Sequence, residues 1–170
     1  GGASAALSSI QEKSLANLDK TLVYEINTYK IKIDGIVKKT GTFYLKQTIT
    51  SKISKIPYNL RIMIPQMIRF FTKNHLTMYG KPFVIYHTYD KTNGISKLSV
   101  CIPIKEEIFT SEGSDVSSGL LYPFQAVKTT LTGDYSHTQE AWDKTLEYLK
   151  KNNLTENTEG THIEIYSKNM

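Results

Sequence analysis

One glutamate in aromatic company is the first place where this sequence could do chemistry. In His162-Ile163-Glu164-Ile165-Tyr166 the two-residue period of a strand puts Ile163 and Ile165 on one face and Glu164 with Tyr166 on the other. If the isoleucines meet the helices, the carboxylate is turned to the opposite side of the sheet. Tyr86 stands at the matching place in an earlier stretch of similar make-up, and together these residues outline an aromatic-walled cleft with one anion inside. Rings supply cation–π attraction and a carboxylate an opposing charge, so such a cleft suits a lipophilic cation. The same pattern admits a plainer reading in which Glu164 faces water or pairs with a lysine across the sheet.

Other chemistries find little support. The chain has no Gly-rich phosphate loop, no G-x-S-x-G elbow and no paired His or Cys at metal-ligand spacing. His75, His87, His137 and His162 are scattered and read as surface or packing histidines. Glu106-Glu107 reads as a solvated strand end. Cys101 lies in the apolar run Leu98 to Ile104, the setting of a buried, inert thiol. No catalytic residue, metal or cofactor is assigned.

The elements that must position the glutamate follow from periodicity. Leu7, Ile10, Leu15, Leu18 and Leu22 have helical spacing. Tyr24, Ile26 and then Tyr29, Ile31, Ile33 alternate as a strand does, up to the turn pair Asp34-Gly35. Residues 1–41 therefore read as an appendage and 42–170 as the domain proper. Within the latter, Phe43, Leu45 and Ile49 share one face of a strand from Thr42 to Thr50. Leu60, Met63, Ile64, Met67, Ile68 and Phe71 form a helical stripe ending near Asn74, with Pro65 expected to kink the helix or shift its start. Pro82 to Tyr89 and Leu98 to Ile104 read as a hairpin, and Ser111 to Gly119 as a polar loop.

The same order then begins again. A strand spans Phe124 to Thr132. A helix follows, opened by Ser136 with Gln139 as a capping box and carrying Trp142, Leu146 and Leu149 as its stripe; His162 to Tyr166 closes the series. Phe70 to Thr77 lines up with Tyr148 to Thr155, and the flanking strands match too. The fold class is therefore α+β, with two related halves that share one strand-helix-strand plan.

Composition narrows the partners. With 21 basic and 16 acidic residues the net charge is +5, yet Arg61 and Arg69 are the only arginines, whereas surfaces that read bases or clamp phosphates lean on arginine. Scattered lysines read as a solvated face, and direct nucleic-acid binding is not expected. No stretch approaches the roughly 20 apolar residues of a membrane span. No membrane contact is expected, and the location expected is cytoplasmic, although the start at Gly1-Gly2-Ala3 leaves open a processed or partial chain.

Leu131-Thr132-Gly133-Asp134-Tyr135, followed by Ala141-Trp142 and Ile163 to Tyr166, resembles the second half of the GyrI-like effector-binding domains, the ligand-sensing modules of multidrug-responsive and AraC-type bacterial transcription activators. Gly80-Lys81-Pro82-Phe83 leading into Tyr86, and Val100 to Ile104, resemble the first half. The resemblance covers about Thr42 to Tyr166. It implies duplicated β-α-β-β units forming a pseudo-two-fold antiparallel sheet with two helices on one face and an aromatic-lined cleft between the halves, where Glu164 meets a ligand's positive charge. The aromatic positions carry over to Tyr135, Trp142 and Tyr166, with Tyr44, Tyr86 and Tyr122 placed by proximity of pattern; Trp142 fits the core as well as the cleft. The family continues past its glutamate strand into one more strand, which this chain lacks unless Tyr29 to Ile33 substitutes. The segment Leu7 to Leu22 resembles the tail of a START-like domain.

Three functions remain after this. A small-molecule binding and sensing domain for an amphipathic, cationic ligand is favoured. The alternatives implied by the resemblance are a hydrolase of small reactive electrophiles using Glu164 as base, and a gyrase-inhibitor-like module with a protein partner.

Overall fold

The computed structural model describes Thr21, Val23 and residues 28–157 and 162–167. The helix expected over Leu7 to Leu22 and the strand positions Tyr24 and Ile26 lie outside the described residues. What is described is an α+β architecture of seven antiparallel strands in two sheets with two helices.

A bent ribbon joins the two sheets. Strands β1 (Lys30–Lys39) and β2 (Thr42–Lys52) are separated only by Thr40 and Gly41, and β5 (Val116–Leu121) and β6 (Phe124–Thr132) only by Tyr122 and Pro123. β2 pairs with β5 as far as Thr42↔Leu121, and β1 pairs with β6 from Lys39↔Phe124 to Lys30↔Thr132, so one register passes through the bend. It slips once, between Ile33 and Gly35. Gly41 has φ +82°, and a Cβ there would sit 2.4 Å from the Leu121 carbonyl oxygen; only glycine accepts both the backbone and the approach. The division expected at residue 41 thus falls at a bend within a continuous pair of strands.

Hung on this ribbon are the two halves. In the first, β2 leads into helix α1 (Ile56–Lys73), β3 (Phe83–Asp90) and β4 (Ile95–Ile104); in the second, β6 leads into α2 (Thr138–Lys151) and β7 (His162–Ile165). The strand orders are β5-β2-β4-β3-β7 and β1-β6. β3 and β7 pair antiparallel through Val84↔Glu164 and Ile85↔Ile163, so the halves meet at their equivalent strands, as a two-fold relation requires. No counterpart of β4 follows β7 among the described residues; β1 lies along β6 but does not pair with β7.

The helix ends record the duplication most closely. At the end of α1, Asn74 N–H donates to the Phe70 carbonyl at 3.1 Å and Leu76 N–H to that of Phe71 at 2.8 Å. At the end of α2, Asn152 N–H donates to Tyr148 at 3.0 Å and Leu154 N–H to Leu149 at 2.9 Å. The residue between each pair, His75 at φ 55° and Asn153 at φ 54°, takes the left-handed conformation that lets these bonds close.

Three expectations change. α1 starts at Ile56 with Pro57 in its first turn and runs through Pro65 without a new start. The span read as a polar loop contains the first part of β5, whose Gly119 lies under the Tyr44 ring, where a Cβ would come within 2.4 Å of it; the serines gave no apolar alternation to read. The Ser136–Gln139 capping box does not form. Asp134 instead accepts from the Ser136 N–H at 3.0 Å, opening a short 3-10 turn, and Gln139 donates to Asp143 at 2.9 Å.

Packing differs between the sheet faces. Leu60, Met63, Ile64, Met67 and Phe71 of α1 are buried against Leu45, Val84, Leu98, Val100 and Ile102. The far face carries a smaller cluster, Tyr44, Phe83, Ile85 and Cys101, with Ile163 and Leu121 packed on it. Burial pushes the Cys101 thiol up to about 12, which keeps it protonated and inert.

Candidate functional site

Residues opposite one another in an antiparallel pair point to the same face, so the Val84↔Glu164 register fixes where the carboxylate goes. Val84 belongs to the core beneath α1. Glu164 therefore faces the helix side, and the isoleucine Ile163 packs on the far face with Phe83 and Ile85. The condition that the isoleucines meet the helices is thus not met for Ile163. The reason lies in α1, whose apolar demand is met by β2 and β4, leaving the edge of the helix side to polar residues.

There the carboxylate is half-buried and takes three aromatic donors. The Tyr86 and Tyr166 hydroxyls both donate to Oε1 at 2.7 Å, and the Trp142 indole Nε1–H donates to Oε2 at 2.6 Å. Such charge-assisted bonds are short and about twice as strong as neutral ones. A carboxylate offers about four lone-pair sites, so among the described residues one on Oε2 is left over. Among the described residues no Lys, Arg or His nitrogen lies within 4.0 Å of it as an ion-pair partner.

The phenols stay donors. Burial, reinforced by the Glu164 charge, pushes Tyr86 and Tyr166 far above the ordinary phenol range. Burial likewise pushes Tyr135 up to about 12, again with Glu164 adding to it. Ionising any of these rings would set a second anion beside the first without water to screen it.

Of the aromatic residues singled out in the sequence, Tyr86, Trp142 and Tyr166 are thus brought onto Glu164, and Tyr135 packs beside Tyr86 and Tyr166. Two are not. Tyr44 is buried on the far face, its ring edge-on to Phe83 at 5.5 Å, because it alternates with Leu45, which points toward α1. Tyr122 is 75% exposed at the ribbon bend. Trp142 itself leaves the helical stripe as read: Thr145 is the buried residue of α2, and Leu146 is 44% exposed.

Sequence reading missed Tyr89 and His162. A strict alternation puts Tyr89 on the face away from Tyr86, but the register slips between Tyr86 and Thr88, and such a bulge turns the strand. Tyr89 then packs edge-on against Tyr86 with centroids 6.1 Å apart. His162 packs edge-on against Trp142 at 5.9 Å while its Nε2 contacts Glu156 Oε1 at 2.7 Å. Tyr89 also walls an open cleft of about 660 Å³ bounded by the β3–β4 turn, Ile53 and Gln139, with Lys52 and Lys91 in its lining; neither Glu164 nor its three donors line it.

No family model matches the chain, and no curated protein does. Among solved structures the fold is similar to that of EcmrR in the cryo-EM structure of the EcmrR–DNA complex in EcmrR-RPo, with a TM-score of 0.65 and 13% identity, over 95% of this chain and 56% of that one. The chain thus spans little more than half the length of that neighbour. The crystal structure of the EcmrR C-terminal domain is similar at a TM-score of 0.59 and 11% identity, over 73% of this chain and 76% of that one. An integron cassette protein from the mobile metagenome of Vibrio cholerae, VCH_CASS2, follows at 0.48 and 14% identity, over 81% and 92%. At these identities the first two define a shared fold. Among the described residues no helix is long and apolar enough to cross a membrane.

Proposed function

We propose that this chain is a small-molecule sensing domain of the GyrI-like effector-binding kind, and that its ligand is an amphipathic cation held at Glu164. The observation that carries this reading is a half-buried carboxylate with three aromatic donors and no ion-pair partner among the described residues. Its charge is stabilised by hydrogen bonds but not neutralised, and rings surround it. A cation entering beside Trp142 gains Coulomb attraction and ring-face attraction at once, about 2 kcal/mol or more from the rings where water is excluded. A protonated amine also has the open lone pair on Oε2 to donate to, whereas a quaternary ammonium does not. The fold shared with the EcmrR C-terminal domain, part of a protein solved in complex with DNA, supports a place in transcription regulation, with this chain as the sensing part, acting in the cytoplasm. Tyr86, Tyr135, Trp142, Glu164 and Tyr166 form the site, joined by Tyr89.

A thermal-shift series with tetraphenylphosphonium, tetraphenylborate and a neutral triphenyl analogue tests this on the wild type and on Glu164→Gln. A ligand at a hundred times its Kd adds about 2.7 kcal/mol of stability, which for a domain of this size raises the midpoint by roughly 2–4 °C per kcal/mol. The phosphonium alone should stabilise the wild type and lose its effect in the variant. Equal responses to the phosphonium and the borate, or an undiminished response in Glu164→Gln, would remove the carboxylate from the site.

A further inference from the structure

The far face of the sheet carries a second concavity with the opposite electrostatics. It lies where the ribbon bend approaches β3 and β7, and has a volume of about 280 Å³. Phe83, Leu121, Ile163 and Ile165 supply an apolar floor and wall, and Lys39 and Lys81 stand at its rim. Among the described residues no Asp or Glu lines it. Neither lysine has a carboxylate within 4.0 Å among the described residues. Ile165 is 51% exposed, an apolar wall offered to the groove rather than consumed by the core.

We propose that this groove binds a small amphipathic anion, a carboxylate with a short acyl tail, independently of the Glu164 site. The tail lies on Phe83, Ile163 and Ile165, where burying each methylene stabilises the complex. The carboxylate reaches the rim, where Lys39 and Lys81 lay their own methylenes along the apolar wall and present their charges above it. The volume limits the tail to one short chain. The sheet separates the two sites: Glu164 and Ile163 are neighbours in β7 but face opposite ways, so ligands of opposite sign can bind without contact.

Sodium octanoate, 1-octanol and octyltrimethylammonium are the probes, followed by amide chemical shifts of the whole chain and by titration calorimetry. Octanoate should move the amides of Thr40, Gly41, Leu121 and Ile163 and leave the Trp142 indole N–H unmoved. The double variant Lys39→Glu/Lys81→Glu, with Lys81 exposed and Lys39 partly so, should weaken octanoate about tenfold, the size expected for two partly exposed ion pairs, and should not weaken octanol. Ile165→Asp should weaken both. The proposal is overturned if octanoate does not bind, if it binds the double variant as tightly as the wild type, if octanol matches it in the wild type, or if its shifts centre on Trp142 and Tyr166.

Discussion

The two halves share a backbone plan but spend their side chains differently. α1 buries Ile56, Leu60, Met63, Ile64, Met67 and Phe71, whereas α2 buries Thr145 alone. Even so, both helices end in the same pattern of backbone bonds around a left-handed residue. The first half is the anchor of the fold. The second half, freed from that task, places Trp142, Glu164 and Tyr166 at the junction with Tyr86 of the first. Duplication followed by such a division leaves a site whose polar groups need not compete with the core that supports them.

The sharpest way to break this comparison is to truncate both helices. Leu60→Ala, at a fully buried position, should cost about 2–5 kcal/mol in urea unfolding, while Leu146→Ala, near the middle of α2 and 44% exposed, should stay within about 0.5 kcal/mol. Comparable losses would mean that the second half also anchors the core. Next in size is Trp142→Phe, which keeps a ring but removes the donor to Oε2. A hydrogen bond to a charged group contributes about 1.5–3 kcal/mol, and this variant should lose that much stability in Glu164 but not in Glu164→Gln; a double-mutant cycle with no coupling would detach the indole from the carboxylate.

A pH titration separates the halves in another way. In the first, His87 Nε2 contacts Ser99 Oγ at 2.7 Å, and burial, with Lys46 and Lys97 nearby, holds the imidazole below its ordinary range. The folded chain thus resists a proton that the unfolded chain accepts. Stability is full above the unfolded value of about 6.5 and declines as pH falls through it, levelling below the folded value. His87→Gln should flatten that decline in a melting series from pH 8 to 5. Smallest of all are His75→Gly and Asn153→Gly, which relieve left-handed residues at equivalent places. Each should change stability by about 1 kcal/mol or less, with the histidine gaining more than the asparagine, which tolerates that conformation better.

Much of this was legible in the sequence, for identifiable reasons. The stripe from Leu60 to Phe71 and the strand from Phe124 to Thr132 follow directly from periodicity, and the repeat near Asn74 and Asn152 betrayed the duplication because helix ends need particular residues. Glu164, Tyr86 and Tyr166 were readable as candidates through their types and offsets, and Trp142 through the family resemblance. Their orientation was not, since alternation says which residues share a face but not which face meets a helix. β5 was hidden because an edge strand of serines and a glycine is selected by its neighbour Tyr44, not by its own pattern. Tyr89 was hidden by a bulge, which shifts alternation without changing composition.

The bent ribbon has a kinetic corollary. It joins Lys30 to Thr132, so all of the first half lies inside the loop that the ribbon closes. Loop-closure entropy makes such distant pairings late events, whereas α1 and the β3–β4 hairpin rest on contacts close in sequence. The first half can therefore gather its core before β1 finds β6. The cluster around Glu164 forms once the second half has been drawn against β3, so pulse-labelled hydrogen exchange during refolding should find the β3–β7 pairing among the last to gain protection.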